Sequence, residues 1–137
     1  DGYASDCTRT FATGDIGDTE REVYELVLRA EEAAVAAARA GIGGRELDAV
    51  AREIITEAGH GDRFGHGLGH GVGIEVHEGP RLSVRSEDTL AAGQVVTIEP
   101  GVYLPGVCGV RIEDLVVVGV AGAEVLTSLP RALQTIV

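Results

Sequence analysis

Lysine, methionine and tryptophan do not occur in this chain, and it has no long apolar run. Each absence narrows the reading. Without lysine, all eleven cations are arginine, set against twenty-two acids for a net charge of −11. That balance excludes the basic stripe that nucleic acid binding requires. Without methionine, the chain is expected to be a piece of a longer protein. No apolar run approaches the ~18 residues of a membrane span, and no signal-like N-terminus is present. Membrane insertion is therefore not expected, and cytoplasmic is the default location. Cysteine is scarce as well: Cys7 and Cys108 lie far apart, form no Cys-x-x-Cys pair, and read as buried free thiols.

What is present reads as one globular domain over 1–137, with 45% hydrophobic residues. Residues 3–12 are rich in β-branched and aromatic types and are expected to form a strand. Asp1-Gly2 before them is a hairpin-turn dipeptide, so the partner strand is expected upstream. Thr19-x-x-Glu22 is a capping-box pattern that opens a helix, with Val23, Leu26, Val27, Ala30, Ala34 and Ala37 at helical spacing and Gly41 as its stop. A second helix from about Glu46 carries Leu47, Val50, Ala51, Ile54, Ile55 and Ala58, and Gly59 ends it. Short β-type runs follow at Val95–Glu99, Gly109–Val118 and Ala123–Leu126. A strand, two one-faced helices and a group of strands predict an α+β layer, with a curved antiparallel sheet covered by helices.

The stretch Gly65–His77 places glycine at every second position through Gly73. It matches neither G-x-G-x-x-G nor a P-loop, which disfavours nucleotide binding. His66 and His70 stand four apart, but the glycines between them make a helix improbable, so a His-Glu-x-x-His zinc site is not expected. In an extended chain their imidazoles would sit ~13 Å apart, too far to share one ion. Elsewhere three acids lie inside apolar or β-branched strand patterns. Glu99 is held extended by Pro100. Arg111 and Glu113 share one face by period-two alternation, with Ile112 and Asp114 on the other. Asp6 is in phase with Ala4, Thr8 and Thr10. Any one of these could be an ordinary solvent-facing position. Together with a glycine-flanked histidine they form an oxygen-rich donor set suited to Mn(II), Co(II), Fe(II) or Zn(II). Without a cation such carboxylates would repel one another.

The motifs Gly2-Tyr3-Ala4-Ser5-Asp6-Cys7-Thr8-Arg9-Thr10, His66-Gly67-Leu68-Gly69-His70 with His77-Glu78, Ile98-Glu99-Pro100-Gly101-Val102-Tyr103 and Val110-Arg111-Ile112-Glu113-Asp114 resemble the pita-bread metallopeptidases (M24). Within them the likeness is to the Xaa-Pro aminopeptidases and Xaa-Pro dipeptidases, in order through Leu129-Pro130-Arg131. The resemblance implies the C-terminal part of one catalytic domain, incomplete at its N-terminal side. It implies Asp6, His70, Glu99 and Glu113 as metal ligands, and a fifth ligand, an aspartate, on the missing hairpin strand. Asp6 and Glu113 would bridge two ions. A hydroxide between the ions would attack the carbonyl before proline while Glu99 manages the proton. His66 and His77 would hold substrate and stabilise the tetrahedral intermediate, and Arg111 would orient a ligand carboxylate such as Asp6. His60 matches no motif and reads as a surface residue. The implied enzyme is an exopeptidase for small peptides with proline at the second position, using two divalent ions with manganese foremost. This chain alone is expected to hold at most one ion and to be inactive. Methionine aminopeptidase and a non-catalytic binding module on the same fold are the competing readings. Homo-oligomerisation is left open.

Overall fold

The computed structural model describes residues 1–136. Strand β1 (Phe11–Thr13) leads into helices α1 (Asp18–Ala37) and α2 (Gly44–Glu57). After a 3-10 turn at Gly61–Arg63 come β2 (Gly69–Gly71), β3 (Glu78–Leu82), β4 (Val95–Ile98), β5 (Gly101–Leu104), β6 (Cys108–Arg111), β7 (Asp114–Val118), β8 (Ala123–Val125) and β9 (Gln134–Ile136). The main sheet is antiparallel in the order β3-β2-β4-β7-β8, with β5-β6 as a separate hairpin and β1-β9 as a parallel pair. No helix among the described residues is long and apolar enough to cross a membrane.

Strand alternation separates core from site. Val96 and Ile98 on β4, with Val116 and Val118 on β7, are buried with Val27, Ala30 and Ala34 of α1 and Leu47, Ala51 and Ile55 of α2. Thr97 and Glu99 point to the other face. Both helices therefore cover one side of the strands, as their apolar stripes predict.

Several boundaries differ from expectation. The segment 3–10 is not one strand. It is tied piecewise by Tyr3 Oη to Val72 O at 2.7 Å, Ala4 N to Gly73 O at 2.7 Å and a single bridge between Thr8 and Glu113. Helix α1 starts at Asp18 behind Gly17, with no side-chain cap. Thr19 thus lies inside the first turn, where Asp18 and Glu20 place negative charge against the positive helix end. Its last residue is Ala37, and Gly41, with φ of +89°, serves the following turn. The run Gly109–Val118 divides between two sheets, because β6 folds back on β5 while β7 joins β4. The cysteines are free, but Cys7 is exposed and Cys108 half-buried. In an extended segment that aims Asp6 and Thr8 inward, Cys7 must face out. His60 is half-buried at the start of the 3-10 turn.

Candidate metal centre

β2 carries His70 into the middle of the sheet. The alternating glycines allow this: a Cβ on Gly69 would overlap the Thr97 carbonyl oxygen on β4, and one on Gly71 would overlap the Gly79 carbonyl oxygen on β3. The alternating glycine spacing thus belongs to a strand squeezed between two backbones.

Around His70 the expected ligands converge. Its Nε2 lies 3.1 Å from Glu99 Oε1 and 3.7 Å from Asp6 Oδ2. One donor atom from each of His70, Glu99 and Glu113 falls within 4.8 Å of the others, and the same holds for Asp6, His70 and His77. His77 is exposed, with its ring centroid 4.4 Å from that of His70. Donor distances alone therefore do not separate His77 from the ligands.

Hydrogen bonds prepare these groups. His70 Nδ1 donates to Gly71 O at 3.0 Å, which fixes the ring so that Nε2 is aimed at the carboxylates. In the protonated ring Nε2 donates to Glu99, and in the neutral ring it offers its lone pair instead. Thr97 Oγ1 accepts from His70 N at 3.1 Å and donates to Glu99 Oε1 at 3.0 Å. Thr8 Oγ1 donates to Glu113 Oε2 at 2.5 Å and accepts from Arg111 Nε at 3.1 Å. Arg111 and Glu113 do share a face, but Arg111 reaches Glu113 through Thr8 and not through Asp6. His66 Nδ1 donates to Gly67 O at 2.8 Å, so its Nε2 accepts from Tyr103 Oη at 2.8 Å.

Burial and mutual charge set the protonation of these groups. Burial, then the charges of Glu99 and Asp6, push Glu113 up to about 7 despite the Thr8 hydrogen bond. Burial also works to raise Glu99, but hydrogen bonds from His70 and Thr97 outweigh it and hold that carboxyl below its ordinary value. The hydrogen bond to Glu99 is the main cause of a raised His70. Glu113 Oε1 is buried and has no hydrogen-bond partner among the described residues. An orphaned carboxylate oxygen, with an imidazole nitrogen and two further carboxylates close by, fits a divalent cation that would take the place of the proton on Nε2.

A cavity of about 420 Å³ opens onto this cluster, lined by His66, His70, Arg81, Ser83, Glu99 and Arg111 among others. Sequence reasoning missed Thr8, Thr97, Tyr103 and Arg81. Thr8 and Thr97 carried a signal, since each stands two residues from an acid in strand phase. Arg81 carried none; it faces His70 only through the β2–β3 register.

The fold is of the pita-bread kind, and comparison gives its family. The profile of metallopeptidase family M24 matches residues 1–119, and the chain belongs to that family. It is 53% identical to the Xaa-Pro dipeptidase of Pyrococcus furiosus over 131 residues, which are 96% of this chain and 38% of that protein. The structure of the Xaa-Pro dipeptidase from Bacillus anthracis superposes with a TM-score of 0.97 at 49% identity, over 98% of this chain and 38% of that one. The X-Pro aminopeptidase from Thermotoga maritima MSB8 does so with a TM-score of 0.95 at 48% identity, over 98% and 38%. The chain thus spans less than two fifths of the length of these relatives.

Proposed function

We propose that the protein containing these residues is a metal-dependent exopeptidase that hydrolyses the bond before proline in small peptides. The observation that carries this is the gathering of Asp6, Glu99 and Glu113 around His70, with one Glu113 oxygen left without a hydrogen-bond partner among the described residues, beneath a cavity walled by His66 and Arg81. Similarity to Xaa-Pro dipeptidases and an X-Pro aminopeptidase supports the proline preference. Asp6, His70, Glu99 and Glu113 would hold divalent ions, manganese foremost, whose Lewis acidity makes water nucleophilic and polarises the scissile carbonyl. Glu99 would take and return the proton through a carboxylate oxygen. His66, with Tyr103 donating to its Nε2, and His77, at the exposed rim, are placed to hydrogen-bond the substrate and its developing oxyanion. Arg81, opposite His70 across the strands, would pair with a free peptide carboxylate. Arg111 would steady Glu113 through Thr8.

The resemblance asks for a fifth ligand, which these residues do not include. Glu99, Glu113 and Asp6 alone set three negative charges against the two of one ion. This chain by itself is therefore proposed to hold at most one ion and to turn over slowly. The roles are tested in the full-length protein with His70→Ala and His77→Ala, by Mn(II) calorimetry and Xaa-Pro hydrolysis. His70→Ala is expected to lose metal, and His77→Ala to keep it while slowing turnover on the order of 10²–10³-fold. Equal loss of metal in the two variants would show His77 to be a ligand.

A further inference from the structure

Across the strand from Glu113 lies a buried charge cluster that the proposed chemistry does not touch. At its centre the Arg9 side chain is 5% exposed. Arg9 Nε donates to Pro130 O at 3.0 Å. Nη1 donates to Thr8 O at 3.0 Å and to Glu113 O at 2.6 Å. Nη2 donates to Asp114 Oδ1 at 2.6 Å and to Leu129 O at 2.8 Å. A guanidinium has five N–H donors, and this geometry gives each its own acceptor. The acceptors lie on three separate segments: the N-terminal stretch, the start of β7 and the residues before β9. Asp114 is fully buried and takes Arg131 on its second oxygen, Nε to Oδ2 at 2.5 Å, with Arg131 also joined through Nη2.

Two of the Arg9 bonds bear on the metal centre. One holds the Glu113 carbonyl, so it sets the backbone from which that carboxylate projects. The other holds the carbonyl of Thr8, whose hydroxyl binds Glu113 Oε2. We propose that Arg9 is a positioning residue for Glu113, locking the strand start and the Thr8 hydroxyl so that the carboxylate is aimed at the ion before the ion arrives. This rests on the reading of Glu113 as a ligand. Lysine cannot substitute, because three donors on a flexible stem cannot meet five acceptors in a plane.

The test titrates the full-length protein with Mn(II) by calorimetry and follows the melting temperature of the metal-free form. Three variants are compared: Arg9→Lys, Glu113→Gln and Tyr24→Phe. The last removes the 2.7 Å bond from Tyr24 Oη to Arg131 O, loosening the same C-terminal segment without touching Glu113. Arg9→Lys is expected to weaken Mn(II) binding roughly 10- to 100-fold, and Glu113→Gln at least as much. Tyr24→Phe is expected to melt lower and keep the parent's affinity. Parental affinity in Arg9→Lys alongside loss in Glu113→Gln overturns the inference. So does a loss of affinity in Arg9→Lys and Tyr24→Phe that simply tracks their melting temperatures. Undiminished binding in Glu113→Gln overturns the ligand reading itself, and the inference with it. Should Arg9→Lys fail to fold, Asp114→Asn keeps an acceptor for Nη2 but removes the charge that orients the guanidinium. Weaker Mn(II) binding is then expected, and parental affinity would overturn the inference.

Discussion

Two arginine–aspartate pairs stand behind the site, one under its imidazole side and one under its carboxylate side. Asp48 and Arg52 lie one turn apart on α2. Arg52 Nε meets Asp48 Oδ2 at 2.7 Å and Nη2 meets Oδ1 at 3.0 Å, while Nη1 reaches Phe64 O at 2.9 Å and Nη2 also reaches His66 O at 2.7 Å. The guanidinium lies 4.1 Å from the Phe64 ring centroid, and Asp48 Oδ1 accepts from Leu68 N at 3.0 Å. The pair thus presents His66 and the approach to β2. Arg9 and Asp114, by contrast, are 105 residues apart. The helix alone delivers the first pair to contact. The second exists only when the N-terminal segment, β7 and the chain before β9 have docked together. Exposure differs too: Arg52 keeps 22% of its side chain in solvent, Arg9 only 5%. The first is a local brace reaching outward, and the second a desolvated knot that records tertiary assembly.

Breaking the knot should cost most. Asp114→Ala leaves the buried Arg9 and the half-buried Arg131 without their shared partner, and a loss of about 3–5 kcal/mol is expected in chemical denaturation. A loss near that of an exposed pair would show that water reaches the cluster.

Next comes a pH dependence belonging to the carboxylate side. Glu113 rises from 4.5 to about 7 on folding, because burial and the neighbouring acids disfavour its charge. A carboxyl raised in this way stabilises the metal-free fold fully below pH 4.5, and the contribution is lost as pH climbs through about 7. Its size is on the order of 3 kcal/mol. Glu31, fully buried, acts in the same direction. Burial is the main cause of its rise to about 8, with Asp114 adding to it and Arg131, whose Nε lies 3.3 Å from Oε2, opposing it. The melting temperature of metal-free protein should therefore fall from pH 5 to pH 8. Glu113→Gln should flatten part of that slope. Saturating Mn(II) should oppose it, since metal needs the ionised ligands. A melting temperature that rises with pH in metal-free protein would contradict the crowding of these acids.

The smallest effect is expected on the imidazole side. Asp48→Ala leaves the buried Leu68 N–H without its acceptor and frees a partly solvated Arg52, for a loss of about 1–3 kcal/mol. Turnover should fall through His66 while Mn(II) affinity stays. Loss of affinity comparable with Arg9→Lys would erase the distinction between the two braces.

The same contrast explains what could be read in advance. Helix periodicity located α1 and α2, and strand phase put Arg111 with Glu113 and Asp6 with Thr8, while the grouping of Asp6, Glu99 and Glu113 with His70 came from the family resemblance. Phase held even where Gly109–Val118 split, because Arg111 and Glu113 still meet at Thr8. The capping box failed because Thr19-x-x-Glu22 describes a local option that the turn at Gly17 pre-empts. Arg9 looked like an ordinary strand residue, since nothing near it in sequence names its acceptors at Leu129 and Pro130. Arg81 was invisible for a related reason: its place beside His70 depends on register between strands.

By itself, then, the sequence determined residue chemistry and local periodicity: the acids and histidines present, the phase of each strand segment, the two helices and the i,i+4 spacing of Asp48 and Arg52, all of which depend on neighbours within a turn or two. Tertiary structure alone decided which β2 glycines lie against other backbones, which hydroxyls hold Glu99 and Glu113, and how Arg9 comes to be saturated. Those features need segments far apart in the chain to approach within hydrogen-bonding distance. Folding brings them there by burying the apolar faces of α1, α2, β4 and β7, residues that carry no information about which polar groups will meet on the other side of the sheet.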